Sequence, residues 1–450
     1  MSTQTDARLK RRVGRRLTLG EDDRRIVTLA LPALGALAAE PLYVLVDTAI
    51  VGHLGVTPLA ALALAGAVLS GIVSLCNFLA YGSTPMIGRL YAAGRADDAA
   101  HLGRQAITLA SILGVVMAVA AFVGAEPAIA LLGGEGKLAR LGVLYMRIAA
   151  LGLPFSLIAV AGQGYLRGLA RLRAPFLFLL AGNLLNAVLE VVFVYGLHLG
   201  IAGSAWATVI AQVAIAIALL TTIAPLSIHD WLPDRRALRA LGSSGGQIFV
   251  RTASLYGAFL LAGAVLAHVG APSLAAHQIV FQLWMFLALA LDALAIAAQV
   301  LISQELGGGE TLRARQLAVR VLLWSTATGM LLVVVLFSVS DLVPHIFTAN
   351  GAVLDRVAAI WPIFAIMQPF NAAVFALDGI LIGAGDTRYL MWAMLASSVL
   401  AFCPLALASA ALGWGIVGVW SAIVAFLLAR LLTCGLRFRT ERWAVIGATR

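Results

Sequence analysis

Runs of twenty or more apolar residues, divided by short breaks rich in Gly, Pro and charge, follow one another from Ile26 almost to the end of the chain. A helix rises 1.5 Å per residue, so ~20 residues cross the ~30 Å of hydrocarbon in a bilayer, and runs of this length predict membrane spans rather than core helices. Cutting at the breaks places twelve spans near 26–52, 59–83, 105–124, 142–166, 175–198, 201–225, 246–269, 273–301, 317–340, 357–382, 389–411 and 415–436. The longest polar break, from His229 to Arg236, falls between the sixth and seventh. The pattern thus predicts an all-α polytopic membrane protein of twelve transmembrane helices in two six-helix bundles. The expected organisation is a basic tail at 1–25, lobes at 26–225 and 246–436, a linker at 226–245 and a second basic tail at 437–450.

The two halves repeat each other at an ungapped offset of 215 residues. The offset carries His53 to His268, Gly55 to Gly270, Gly94 to Gly309, Pro154 to Pro369, Gly164 to Gly379, Arg173 to Arg388 and Gly200 to Gly415. Six spans per half is an even number, so both halves enter the membrane in the same direction. Parallel repeats of this kind are related by a pseudo-twofold axis along the membrane normal, with a substrate path expected at their interface near the midplane.

Composition agrees with the spans. Of 450 residues, 62% are hydrophobic and 12% charged, too few charges to cover a soluble protein of this size. The net charge of +10 does not point to nucleic acid. Nearly all of the 31 Lys and Arg fall at the ends of alternate spans or in the tails. The exceptions are Lys137, Arg140, Arg147 and Arg356 on the other side, and Arg251 inside a span. This positive-inside pattern predicts both termini in the cytoplasm of a bacterial inner membrane. The basic run from Arg8 to Arg25 could also touch anionic lipid. Cys76, Cys403 and Cys434 lie in or beside spans without pairing or metal-ligand spacing. Ala36-Leu37-Ala38 resembles a signal-peptidase site, but the apolar stretch runs on to Val51, so cleavage would remove half a span.

An ionisable side chain in mid-membrane costs at least ~2.5–3.5 kcal/mol, which makes each one a functional candidate. In the first half these are Glu40 and Asp47 on the first span and Glu190 on the fifth. Seven residues separate Glu40 from Asp47, which sets both on nearly one helical face. Asn183, Asn186 and Glu190, three and four apart, stack on one face of the fifth span and must look into a cavity or a partner helix. Interhelical hydrogen bonding is the plainer role for the two Asn. In the second half the candidates are Arg251, Asp292 and Asp378. Arg251, near the end of its span, reads as an arginine that snorkels to the interface. Shifting the acids by 215 gives neutral partners: Asp47 meets Ala262, Glu190 meets Leu405, Asp292 meets Asn77 and Asp378 meets Gln163. Ion coupling is therefore expected in the N-terminal lobe, through Asp47, Glu190, Asn183, Asn186 and Glu40. Asp378, Asp292, Arg251 and Gln278 are expected to serve substrate binding or gating. No Gly-Lys-Ser/Thr nucleotide loop and no His-Glu-x-x-His motif is present, and the seven His are scattered, so an enzyme is not expected.

The opening run Leu31-Pro32, Glu40-Pro41-Leu42-Tyr43 and Val46-Asp47-Thr48 through Gly55 resembles that of multidrug and toxic-compound extrusion (MATE) transporters, particularly their DinF-like branch. Leu274-Ala275-Ala276-His277-Gln278-Ile279, Asn183-Leu184-Leu185-Asn186 with an acid four residues on, and Leu377-Asp378-Gly379 through Arg388 resemble them too. The resemblance covers all twelve spans. It implies that Asp47, Asn183, Asn186 and Glu190 form a proton or cation site; Glu190 stands where many relatives have Asp, which leaves proton against sodium open.

The expected function is secondary antiport of organic compounds, cationic or amphiphilic, against protons or sodium by alternating access. A flippase for lipid-linked precursors and a non-transporting scaffold are the alternatives. A flippase would want a cationic cavity, whereas the candidates here are mostly acidic. The expected partners are a small-molecule substrate and the bilayer, with no nucleic acid, no cofactor beyond the coupling ion, no resident metal, and function as a monomer.

Overall fold

The computed structural model describes residues 19–223 and 231–449. The basic run from Arg8 to Arg16 and the linker residues His229 and Asp230 lie outside the described residues. Counting each bent helix pair as one span, the described residues form twelve: α1 (Leu19–Gly52), α2 (Val56–Ala92), α3 (Ala96–Val123), α4 (Gly136–Ala150 and Leu153–Gly168), α5 (Arg173–Gly196) and α6 (Ile201–Leu220) in one lobe. The other lobe holds α7 (Arg235–Val269), α8 (Ala271–Gly307), α9 (Thr311–Ser338), α10 (Gly351–Ile366 and Gln368–Gly383), α11 (Thr387–Ala411) and α12 (Gly415–Arg439). Each expected span is recovered. Several helices outrun their apolar windows, because a helix continues into the interface wherever its ends are capped or packed.

The 215-residue repeat is visible in the backbone. α2 and α8 match end for end at that offset, and so do α3 and α9. α4 and α10 are each broken by a bend of 49°. The breaks precede Pro154 and Pro369, repeat partners whose missing N–H and ring clash interrupt the helical ladder. Beside each proline a glycine permits close crossing: a Cβ on Gly114 would come within 2.5 Å of Pro154, and one on Gly329 within 2.7 Å of Pro369. Turns repeat as well, with left-handed backbone at Gly94 and Gly309, at Ala170 and Gly385, and at His198 and Gly413.

Hydrogen bonds and ion pairs between the lobes cluster toward the face that carries both termini. There Asp22 pairs with Arg313, Asp23 with Arg320 at 2.7 Å, and Arg25 with Glu305 at 3.1 Å. Arg89 of α2 donates to the carbonyls of Ala384, Val445 and Gly447, so the C-terminal segment is fastened across the seam. Deeper in, Gln304 donates to Gly168 O at 3.1 Å and Gln299 to Tyr81 O at 2.9 Å. Among the described residues no side-chain hydrogen bond or ion pair joins the lobes near the opposite face, at the junctions of α1 with α2 and of α7 with α8. The linker is moored to the N-terminal lobe through Gln105 of α3, which donates to Leu232 O at 2.8 Å and accepts from Asp234 N at 2.9 Å.

Candidate functional site

α1, α2, α4, α5 and α6 enclose a cavity of about 520 Å³, a volume in the range of drug-sized pockets. Its lining runs from Ala36 to Ile215, so it belongs wholly to the N-terminal lobe. The sequence had placed the path at the interface of the lobes. The cavity lies instead within the N-terminal bundle, where small residues of α2, among them Ala63, Gly66, Ala67 and Ser70, leave space.

At one side of the cavity stands a buried cluster of oxygen atoms. Asp47 is buried, and its Oδ1 accepts from Ser204 Oγ of α6 at 2.7 Å. Glu190 of α5 is wholly buried; its carboxyl adjoins that of Asp47 and the Ser204 hydroxyl, and neither of its oxygens has a donor. Thr208, one turn beyond Ser204, donates to Ser204 O at 3.1 Å, accepts from Asn186 Nδ2 at 3.4 Å and meets the Tyr43 hydroxyl at 2.9 Å. Asn186 Oδ1 is left without a partner. Asn183 lines the cavity and donates to Ala39 O at 2.9 Å, fastening α5 to α1. Glu40, one face with Asp47 but two turns away, lines the cavity and is exposed. Asp47, Asn183, Asn186 and Glu190 thus lie on one side of the bundle, with Glu40 two turns away along α1. Ser204, Thr208 and Tyr43 were missed. The four-residue spacing of the two hydroxyls was their only signal, and hydroxyls cost little inside a helix because they bond back to its carbonyls.

Among the described residues no group of three or more His, Cys, Asp or Glu is placed to hold a metal ion. The donors around Asp47 and Glu190 are oxygens only, a set suited to a proton or a hard cation such as sodium rather than to a transition metal.

The second-half candidates are placed differently. Asp378 is buried between Arg251 of α7 and Arg430 of α12 and accepts a hydrogen bond from each. This corrects the reading of Arg251 as a snorkelling residue, since its guanidinium turns inward to a carboxylate. It also adds Arg430, which composition alone had counted among the cations at span ends. Neither Asp378 nor Arg251 lines the cavity, and Gln278 is exposed outside it. Asp292 of α8 lies behind the cavity floor and accepts from the Tyr81 hydroxyl at 2.7 Å, across the lobe boundary. The floor itself carries Asn77, Tyr81, Gln163 and Arg167.

Two parallel six-helix lobes, a cavity in the membrane-spanning part and a buried carboxyl pair beside it define a membrane-transporter architecture. The chain belongs to the MatE family, which matches residues 32–192 and 248–407, once in each lobe. It is 33% identical to Protein DETOXIFICATION 44, chloroplastic, of Arabidopsis thaliana, over 95% of this chain and 85% of that one. To the DNA damage-inducible protein F of Escherichia coli it is 30% identical, over 92% of each chain. Its fold matches a solved outward-facing conformation of a multidrug resistance MATE family transporter with a TM-score of 0.84, at 20% identity and over 94% of this chain and 96% of that one. The protein is accordingly a multi-pass membrane transporter of small molecules and not an enzyme.

Proposed function

We propose that the protein exports cationic or amphiphilic organic compounds in exchange for protons or sodium ions, from a bacterial cytoplasmic membrane with both termini inside. The contact between Asp47 and Glu190 carries this reading. Two carboxylates at contact in a low-dielectric space repel strongly, and a proton or a cation shared between them removes the repulsion. Losing that ion leaves negative charge beside the cavity, which favours a cationic substrate. Ion and substrate then exclude each other, and the coupling is reciprocal, as antiport requires. The lobe contacts support the cycle: the positive-inside pattern puts the tied face in the cytoplasm, so the conformation described is closed inward. With Glu40 and Asp47 facing one arginine, the cavity is a poorer match to a flippase for anionic lipid precursors.

In liposomes holding the purified protein, an imposed proton or sodium gradient should drive uphill movement of ethidium. Asp47→Asn and Glu190→Gln should each abolish it while leaving folding and expression intact, and Glu190→Asp should keep part of it with an altered pH dependence. Full coupled transport by Asp47→Asn would refute the proposal.

A further inference from the structure

The segment that follows α12 ties the lobes together in a way the repeat does not account for. Two twin bonds cross the seam on the face that carries the termini. Arg89 of α2 donates to Ala384 O just beyond α10, and Gln304 of α8, its partner at the offset of 215, donates to Gly168 O at the end of α4. Between them α2 and α8 cross closely, since a Cβ on Gly88 would strike Ser303, its own repeat partner. These contacts belong to both halves alike. The bonds from Arg89 NH1 to Val445 O at 2.8 Å and Gly447 O at 3.1 Å reach the tail that only the second half ends in. At the matching place in the first half stands Leu232 of the linker, whose carbonyl accepts from Gln105 of the lobe it has just left. The tail carries the equivalent stretch across to the other lobe.

Its course is fixed at further points. The chain turns back after α12 through Glu441, which has left-handed backbone and pairs with Arg315 of α9. Trp443 is buried and stacked on Phe438 with ring centres 5.4 Å apart. It joins an apolar cluster that draws Ile26 and Leu172 from one lobe and Leu306 and Ala314 from the other. Gly447 N then donates to Leu306 O of α8 at 3.0 Å, and Ala448 packs against the core of the N-terminal lobe. Parting the lobes on this face pulls the buried Arg89 guanidinium away from its acceptors and opens the cluster that covers the indole, and both steps are unfavourable.

We propose that residues 441–449 are a clasp that holds the transporter shut on the face carrying the termini, with Arg89 as its catch, and that the segment must leave Arg89 before the cavity opens on that side. The attachment of the tail then sets how much of the protein is open inward. This rests on the alternating-access cycle proposed above and adds what restrains one half of it.

The test measures distances between spin labels by double electron–electron resonance, in protein whose three cysteines are replaced by alanine. One pair, Asp97→Cys with Leu312→Cys, lies on exposed repeat partners at the starts of α3 and α9, on the face of the termini. The other, Val56→Cys with Ala271→Cys, lies on exposed repeat partners at the starts of α2 and α8, on the opposite face. With the tail intact the first pair should show chiefly its short distance. A chain ending at Thr440 should raise the ratio of long to short distances there about tenfold or more, the effect of losing a hydrogen bond to a charged group, while the second pair shifts to shorter distances. Gly447→Pro removes the N–H bonded to Leu306 and cannot adopt the φ of 115° found there, so it should move both pairs the same way by less. Unchanged distances in the shortened chain would overturn the proposal. So would lengthening on the first face without shortening on the second, which marks a loosened structure rather than a released clasp. If the shortened chain does not fold, Gly447→Pro decides by the same two criteria. Neither substrate nor ion gradient is present, so the result does not depend on coupling at Asp47 and Glu190. A shortened chain with unmoved distances that still drives ethidium uphill in liposomes would sink the clasp alone, and one that does not would sink the transport reading with it.

Discussion

The two lobes share a backbone plan, yet one is hollow and the other filled. Along the N-terminal cavity stand Gly66, Leu69 and Ala149, and the offset of 215 turns these into Phe281, Trp284 and Phe364. With Trp420, which replaces Ala205, these rings meet edge to face or tilted at 5.9–6.3 Å and close the space. Nearer the termini, Ala36, Gln163 and Ile215 line the cavity where the C-terminal lobe holds Arg251, Asp378 and Arg430. The polar cluster is exchanged in the reverse sense. Tyr43, Asp47, Ser204 and Thr208 correspond to Ala258, Ala262, Val419 and Ile423, all buried in the apolar core of the second lobe. Duplication thus supplied two equivalent frames, and side-chain replacement left one hollow and the other solid.

Removing the carboxylate that neutralises the filled lobe should have the largest effect. Asp378→Ala leaves two buried guanidinium groups facing each other and should destabilise the protein by about 3–5 kcal/mol in thermal or denaturant unfolding. The matched change in the hollow lobe, Gln163→Ala, should stay within about 1 kcal/mol. Next comes Phe364→Ala, which opens a void among the rings and should cost about 3–5 kcal/mol in the same assay, without creating a dye-binding site. The reciprocal change, Gly66→Phe, meets nothing within 4 Å of its new Cβ. It should leave unfolding nearly unchanged but lower dye affinity about tenfold by filling the cavity. Equal damage to stability from these last two would show that the lobes do not differ in packing as described.

The smallest effect concerns the mooring of the linker to the N-terminal lobe. Asp234 titrates below its ordinary value, chiefly because its carboxylate accepts from Arg236 N, and then because of His101 beside it. A lowered carboxyl value means that the stabilisation is present at neutral pH and fades as pH falls through that value. Asp234→Ala should therefore lower the melting temperature slightly at neutral pH, with the difference from wild type vanishing in acid.

Much of this was legible in the sequence because membrane insertion imposes simple rules. Apolar length gave the spans, and the offset of 215 gave the duplication, but the matched breaks before Pro154 and Pro369 emerged only from the structure. Asp47, Asn183, Asn186 and Glu190 stood out because polar groups at helical spacing cannot face lipid. What escaped was whatever depends on volume or on depth. Arg167 was counted as a cation at a span end because its helix extends beyond the apolar window, and Arg430 was counted the same way although it lies inside the expected span 415–436; the structure shows both turned inward. That the cavity lies in one lobe rather than between two follows from glycine facing phenylalanine across the repeat, a difference of size that hydropathy does not register.

The left-handed turns record the history of the duplication. At two of them one copy has the residue suited to the shape, Gly385 or Gly413, while the other has Ala170 or His198 in the same conformation. Such a residue bears about 1–2 kcal/mol of steric strain that glycine does not. The same turn is thus made with and without the amino acid that favours it, because the helices on either side fix where the chain must reverse. Without net gain or loss of length between them, the two copies have drifted like two texts set in the same type area, their wording changed and their line breaks kept.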